Sequence, residues 1–301
     1  MKKSNASMAK KLTAGFCALL LLGGCGKTPV PHKMAVEPPE EAPAQAAEPS
    51  RPPASPPADN RFDALAEQLD ALLQAYAQDD GSWSIYLWDT ETEQEVSLSA
   101  HPMESASLIK LFVACAVQEN RALVDGQQSY TGETAALLLD MLSVSDNDAT
   151  NALVHRLGSG DAAAGMACVN AYCQANGFAD THMGRLMLDF DANDDNSTSA
   201  KDCCAILNRI LDGEAAGAAE LLDALRRQQR TEKIPAGVPE DISTANKTGE
   251  LTDVENDAAI VWTENGAYIL CVMSGDLSDT ASARSHIVTL SQTVYDFMTK
   301  K

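Results

Sequence analysis

The sequence predicts a mixed α/β (α+β) fold: one antiparallel sheet formed by both ends of the chain, flanking helices, and an inserted all-helical lobe. Three observations lead there. Short β-prone runs cluster at residues 82–88 and 95–99 near the front and at 242–248, 258–263 and 267–273 near the back. The stretch between them, from 107 to 230, is rich in Ala and Leu and reads as successive helices. Segments 62–77 and 281–298 carry apolar residues at helical spacing and bracket the strands. Strands at both ends with helices between them close a sheet around an insertion, which leaves a cleft between sheet and lobe.

In chain order, Lys2, Lys3, Lys10 and Lys11 precede an apolar stretch at 12–22. This is the pattern of an export signal, too short for a membrane span. Leu22-Gly-Gly-Cys25 then resembles a bacterial lipoprotein cleavage box, which implies a signal peptide over 1–24 and lipidation of Cys25. From 25 to 59 the composition turns to Pro, Ala and Glu, with Glu37-Pro-Pro-Glu-Glu and Arg51-Pro-Pro-Ala-Ser-Pro-Pro as extremes. Proline favours extended backbone and removes donors, and few large apolar groups remain to offset ordering entropy, so a disordered tether is expected. Residues 60–301 have the size of one domain. Within it, Asn265-Gly266 separates two β-prone runs and predicts a hairpin. The expected location is extracytoplasmic, lipid-anchored to an envelope membrane.

Three short strings carry the chemistry: Ser107-Leu-Ile-Lys110, Ser145-Asp-Asn147 and Lys247-Thr-Gly249. A serine hydroxyl is a poor nucleophile at neutral pH and needs a base and a site for its oxyanion. Residues i and i+3 share a helix face, so Lys110 can approach Ser107 locally. A lysine acts as a base only if burial or a second cation depresses its pKa. The apolar run Leu111-Phe-Val-Ala provides burial, and Lys247 is a candidate second cation. Alone, the first string means little, since Ser7-Met-Ala-Lys10 repeats it in the leader. Ser145-Asp-Asn alone reads as a helix N-cap, and Lys-Thr-Gly as a strand ending in a turn. Their joint occurrence in this order is the signal.

The set resembles the penicillin-recognising serine hydrolases, specifically class A β-lactamases and related penicillin-binding proteins, in lipoprotein form. The resemblance runs from about Trp83 to the C-terminus and includes Ile85-Tyr-Leu-Trp-Asp, Met141-Leu-Ser-Val and Asn246-Lys-Thr-Gly-Glu-Leu. It implies Ser107 as nucleophile, Lys110 as its general base and Ser145 as a hydroxyl relay to the leaving nitrogen. It also implies Asn147 on the substrate amide, Lys247 and Thr248 facing a substrate carboxylate, and Gly249 beside them. An oxyanion hole would come from the backbone N–H groups of Ser107 and Glu250.

Three departures limit the transfer. After Thr181-His-Met-Gly-Arg185, Met187 stands where the family places its water-activating glutamate. A thioether cannot deprotonate water, so Asp189 and Asp191 are the nearest substitutes, on a loop several residues short. The interval between the first two strings is shorter than in class A enzymes by roughly twenty residues. No arginine lies at 258–263 or 267–274 to supply an extra cation for a substrate carboxylate.

The rest is exclusion. Asp189-x-Asp191-x-Asn193 starts like a calcium loop, but Asp194 replaces the turn glycine and Ala200 the closing glutamate. The histidines 32, 101, 155, 182 and 286 are scattered, so no metal or cofactor is expected. Cys115, Cys168, Cys173, Cys203, Cys204 and Cys271 show no disulfide or nucleophile pattern and are expected as buried thiols. A net charge of −21 argues against nucleic acid as partner. The expected partners are a β-lactam or peptidoglycan peptide and, through Cys25, a membrane, with the chain a monomer. Three functions stay open: a β-lactam hydrolase, a penicillin-binding DD-peptidase-like protein that deacylates slowly, and a non-catalytic lipoprotein that binds peptidoglycan peptide.

Overall fold

The computed structural model describes residues 60–127 and 133–300. The expected signal peptide, Cys25 and tether lie outside the described residues. No described helix is long and apolar enough to cross a membrane.

In chain order the elements are α1 (Asn60–Asp79), β1 (Ser82–Asp89), β2 (Glu95–Leu98), β3 (Met103–Glu104), a 3-10 turn (Ala106–Leu108) and α2 (Ile109–Glu119). There follow α3 (Arg121–Asp125), α4 (Glu133–Ser143), α5 (Asn147–Leu157), α6 (Ala162–Ala175), β4 (Ser197–Thr198), α7 (Ala200–Leu211) and α8 (Ala218–Arg226). A second 3-10 turn (Ile234–Gly237) leads into β5 (Thr244–Glu250), β6 (Glu255–Thr263), β7 (Gly266–Gly275) and α9 (Thr280–Thr299). The five-stranded sheet has the order β2-β1-β7-β6-β5, all neighbours antiparallel. The predicted sheet holds: the chain's two ends meet along the β1–β7 pairing. The insertion, α2 to α8, is not all-helical as expected, since β4 within it pairs with β3.

Each layer follows from its sequence period. Leu65, Leu69, Leu73 and Tyr76 on α1 and Ala283, Ile287, Leu290 and Val294 on α9 are buried at i, i+4 and i+3 steps, so each helix presents one apolar stripe. Both stripes join one sheet face through Ile85, Leu87, Val261, Leu270 and Val272. The opposite face contributes Tyr86, Ile260, Ile269, Cys271 and Met273 to a second core shared with the lobe. With helices on both faces, β6 and β7 read as continuous apolar runs instead of alternating ones. Asp80 ties the two chain ends by accepting from the backbone N–H groups of Ser278 and Asp279 at 2.9 and 2.8 Å.

Helix α2 is the axis of the lobe: every residue from Ile109 to Gln118 is buried, as expected of a helix apolar on all sides. The one cation among them is Lys110, so the fold itself dehydrates this amine.

The hairpin differs from expectation by one residue. Thr263 pairs with Gly266, so the two-residue loop is Glu264-Asn265 and Gly266 begins β7. The reason is local: Gly266 has φ +118°, and a Cβ there would sit 2.2 Å from the Glu91 side chain, so glycine is required at the strand's first residue. All six domain cysteines are free thiols, five of them buried.

Candidate active site

The three strings converge where α2, the start of α5 and the end of β5 meet. Ser107 lies in the 3-10 turn that opens α2 and is half-buried. The residue before it, Ala106, has φ +47°, a strained conformation for a residue with a Cβ that the close packing around it enforces. Gly249 is part of that packing. A Cβ on it would come within 2.8 Å of the Ser105 carbonyl oxygen and 3.2 Å of Ala106 Cβ. Glycine thus lets β5 lie directly against the turn that presents the nucleophile.

Ser145 also takes positive φ (+61°), and Asp146 caps α5 by accepting from Ala149 N at 2.6 Å. The bland reading of the second string as a helix cap is therefore correct and is also what places its functional atoms. Lys110 Nζ donates to the Ser145 carbonyl oxygen (2.7 Å), to Asn147 Oδ1 (2.7 Å) and to Ser145 Oγ (3.2 Å). Lys247 Nζ reaches the same Ser145 Oγ at 2.9 Å and the Thr248 carbonyl oxygen at 2.7 Å. One hydroxyl thus bridges two lysines. Among the described residues Ser107 Oγ makes no protein hydrogen bond, which leaves it open to the cleft.

Electrostatics favour a neutral amine. Burial lowers the Lys110 pKa to about 7, opposed by the nearby Asp146 carboxylate and reinforced by Arg230. Burial, and then repulsion from Lys110, lowers Lys247 as well. The pair therefore resists double protonation. The second cation that lowers Lys110 is Arg230 in place of the expected Lys247, whose own amine Lys110 depresses.

Two cavities flank Glu250. One, of about 60 Å³, is lined by Ala106, Ser107, Asn147, Met187, Leu188 and Phe190, among others. The other, of about 240 Å³, is lined by Arg230, Glu232, Lys233, Glu250 and Arg284. Lys247 and Thr248 are buried and line neither; Arg185 lines the first, and three cations, Arg230, Lys233 and Arg284, line the second. No local pattern marks these three in the sequence, because the segment before β5 and the helix α9 carry them in from outside the strings.

Their arrangement answers a cross-strand problem. Glu250 and Glu255 are direct partners in the β5–β6 register, and like charges opposite one another destabilise a sheet. Lys233 Nζ sits between them, 3.3 Å from Glu250 Oε1 and 2.7 Å from Glu255 Oε2. Arg230 pairs with Glu250, and Arg284 with Glu255 at 2.7 Å. Although burial pushes Glu250 up, Lys233 and Arg230 hold its carboxyl below the usual value. Lys233 also donates to the Gly249 and Asn256 carbonyl oxygens, which fixes the strand end carrying the Glu250 N–H.

The loop after Arg185 closes at a polar neck. Arg185 Nε donates to Asp195 Oδ1 at 2.7 Å, and Asn196 Oδ1 accepts from the Gly184 and Arg185 N–H groups. Asn151 clamps the Met187 main chain through both its amide groups. Met187 is buried and lines the cleft, with Leu188 (φ +66°) and Phe190. Asp189 and Asp191 are exposed and do not line it: the tight turn at Leu188 gives the cleft side to Leu188 and Phe190. No cluster of metal-binding side chains occurs among the described residues.

The comparisons with known proteins bear on the family and the fold. The family model of the beta-lactamase enzyme family matches residues 64–134 and 123–298. Among solved structures the chain is similar to PBP-A, at 25% identity and TM-score 0.65, over 77% of this chain and 95% of that one. It is similar to a single-substitution mutant of PBP-A solved as an acyl-enzyme complex with penicillin G, at 24% identity and TM-score 0.67, over 78% and 96%. It is also similar to the class A beta-lactamase of the last common ancestor of Gram-negative bacteria, at 23% identity and TM-score 0.66, over 77% and 98%. No curated protein matches the chain.

Proposed function

The chain belongs to the beta-lactamase enzyme family, and from that premise we propose that it is a serine hydrolase that β-lactams or related acyl-D-alanyl amides acylate at Ser107. The observation that carries this is the bridge from Lys110 through Ser145 Oγ to Lys247 beside an unpartnered Ser107 hydroxyl. Ser107 Oγ attacks the amide carbonyl carbon and passes its proton to neutral Lys110. The oxyanion is held by the N–H groups of Ser107 and Glu250. The C–N bond then breaks, and the leaving nitrogen takes a proton through the Ser145 hydroxyl, resupplied by the lysines. Asn147, with its Oδ1 already bonded to Lys110, offers its amide N–H to the substrate's amide carbonyl. The cavity with Arg230, Lys233 and Arg284 suits the substrate carboxylate, and buried Lys247 and Thr248 support it from behind.

Hydrolysis of the ester needs a base for water, and Met187 supplies none. The cleft side of the loop is apolar, so we assign no such role to Asp189 or Asp191. Slow release of the acyl group, as in a penicillin-binding protein, is the form of the reaction this site favours. We further propose that the full chain acts outside the cytoplasm, anchored through lipidated Cys25, on the strength of Leu22-Gly-Gly-Cys25.

Turnover of a chromogenic cephalosporin and labelling by a fluorescent penicillin, each beside Ser107→Ala, test the reading. Labelling that requires Ser107 supports it, fast turnover would restore a competent water base, and neither labelling nor turnover would refute acylation by β-lactams. Mass spectrometry of the membrane form checks the anchor, which a mature N-terminus lacking diacylglycerol on Cys25 would exclude.

A further inference from the structure

A cleft of about 290 Å³ shares no lining residue with the catalytic cavities. Its walls are Tyr86 and Trp88 from β1, Phe178 from the turn after α6, and Cys204, Lys201 and Arg209 from α7, with Asn176, Ala205 and Asn208 completing the rim. Three aromatic rings and a thiol make an apolar lining with a few polar groups converging on it, the composition of a small-molecule site. The volume, about ten waters at ~30 Å³ each, limits the ligand to a small molecule.

The charge of the lining is what selects a ligand. The chain carries a net charge of −21, yet no Asp or Glu lines this cleft while one Lys and one Arg do. Among the described residues neither Arg209 nor Lys201 makes a salt bridge. Arg209 Nε is buried without a hydrogen-bond partner. No protein acceptor pairs with the Arg209 guanidinium among the described residues, so an anion in the cleft is an acceptor for its outer N–H groups. Two acids lie beside the cleft and bond residues of its wall, not its cations: Glu95 accepts from Tyr86 Oη, and Asp212 Oδ2 accepts from Asn208 Nδ2 at 2.9 Å.

We propose that the cleft between β1 and α7 binds a small carboxylic acid with an aromatic body, its ring among Tyr86, Trp88 and Phe178 and its carboxylate on the Arg209 and Lys201 side chains. The site is independent of Ser107 and of the acylation reading. Its occupant lies beside α7, which packs on the sheet face opposite α1 and α9, so binding stabilises the lobe against the sheet.

The test is calorimetric titration of the full chain with 1-naphthaleneacetate, using the uncharged 1-naphthaleneacetamide as control. Saturable binding of the acid is expected, weakened at least about tenfold for the amide and for Arg209→Gln, the size of one lost charge-assisted contact. Ala205→Trp, at an exposed position of α7, fills the cleft and is expected to abolish binding with an unchanged melting temperature. Ser107→Ala is expected to bind like the parent. Absence of saturable binding at millimolar acid, equal binding of acid and amide, or binding that survives Ala205→Trp would each overturn the proposal.

Discussion

Lys110 concentrates the chemistry at the residue scale. Its side chain is buried, and burial lowers its pKa to about 7, so the neutral base form grows as pH rises through that value. The acylation rate of Ser107 is therefore expected to climb between about pH 6 and 8 and then level, as stopped-flow labelling with a penicillin will report. A profile flat across that range would remove Lys110 as the base. Lys110→Met is expected to slow acylation by about 10²–10⁴, and Ser145→Ala to slow it less while leaving Ser107 accessible. Much of this was legible in the sequence, because Ser107 and Lys110 are neighbours on one turn and Asp146 caps its own helix. Arg230, Lys233 and Arg284 were not, since their role comes from tertiary placement beside a strand whose two facing glutamates need cations.

Elements set the geometry that residues use. Gly249 lets β5 touch the Ser105–Ala106 turn, so Gly249→Ala forces a shift of 2.8 Å-contact backbone at the oxyanion side. Acylation is expected to fall by at least about tenfold with the circular-dichroism spectrum retained, and an unchanged rate would free the strand from this role. The neck of the 186–195 loop brings Glu104 on β3 together with Asp195 and Arg185. Burial, then the Asp195 charge, raises the Glu104 pKa from 4.5 to about 7. A raised carboxyl favours the protonated folded state, so this stabilising contribution is full below about pH 4.5 and is lost as pH rises through 7. Urea unfolding of Glu104→Gln at pH 5 and pH 8 is expected to show a smaller pH difference than the parent; an equal difference would place the charge coupling elsewhere. This coupling is invisible in sequence, because β3 and the loop are some ninety residues apart and the β3–β4 pairing brings them together.

For the molecule as a whole, the sheet formed by both chain ends with a helical insertion was readable from strand clusters and from the Ala- and Leu-rich middle. What escaped was which side of the 186–195 loop faces the cleft. Nearness to Met187 makes Asp189 and Asp191 the candidate bases in sequence, while the left-handed turn at Leu188 gives that side to apolar groups. On the proposed reading Ser107 forms an acyl-enzyme, and the side of the 186–195 loop that lines the cleft offers no carboxylate to release it. Met187→Glu restores a carboxyl at the clamped position between Asn151 and the cleft, and is expected to raise cephalosporin turnover by at least about tenfold. The most direct test is time-resolved intact-mass spectrometry of the full chain mixed with penicillin G. One adduct of the penicillin mass, dependent on Ser107 and outlasting many minutes after excess drug is removed, is the predicted result; hydrolysis of the drug with no accumulating adduct, or no adduct at all, would contradict it.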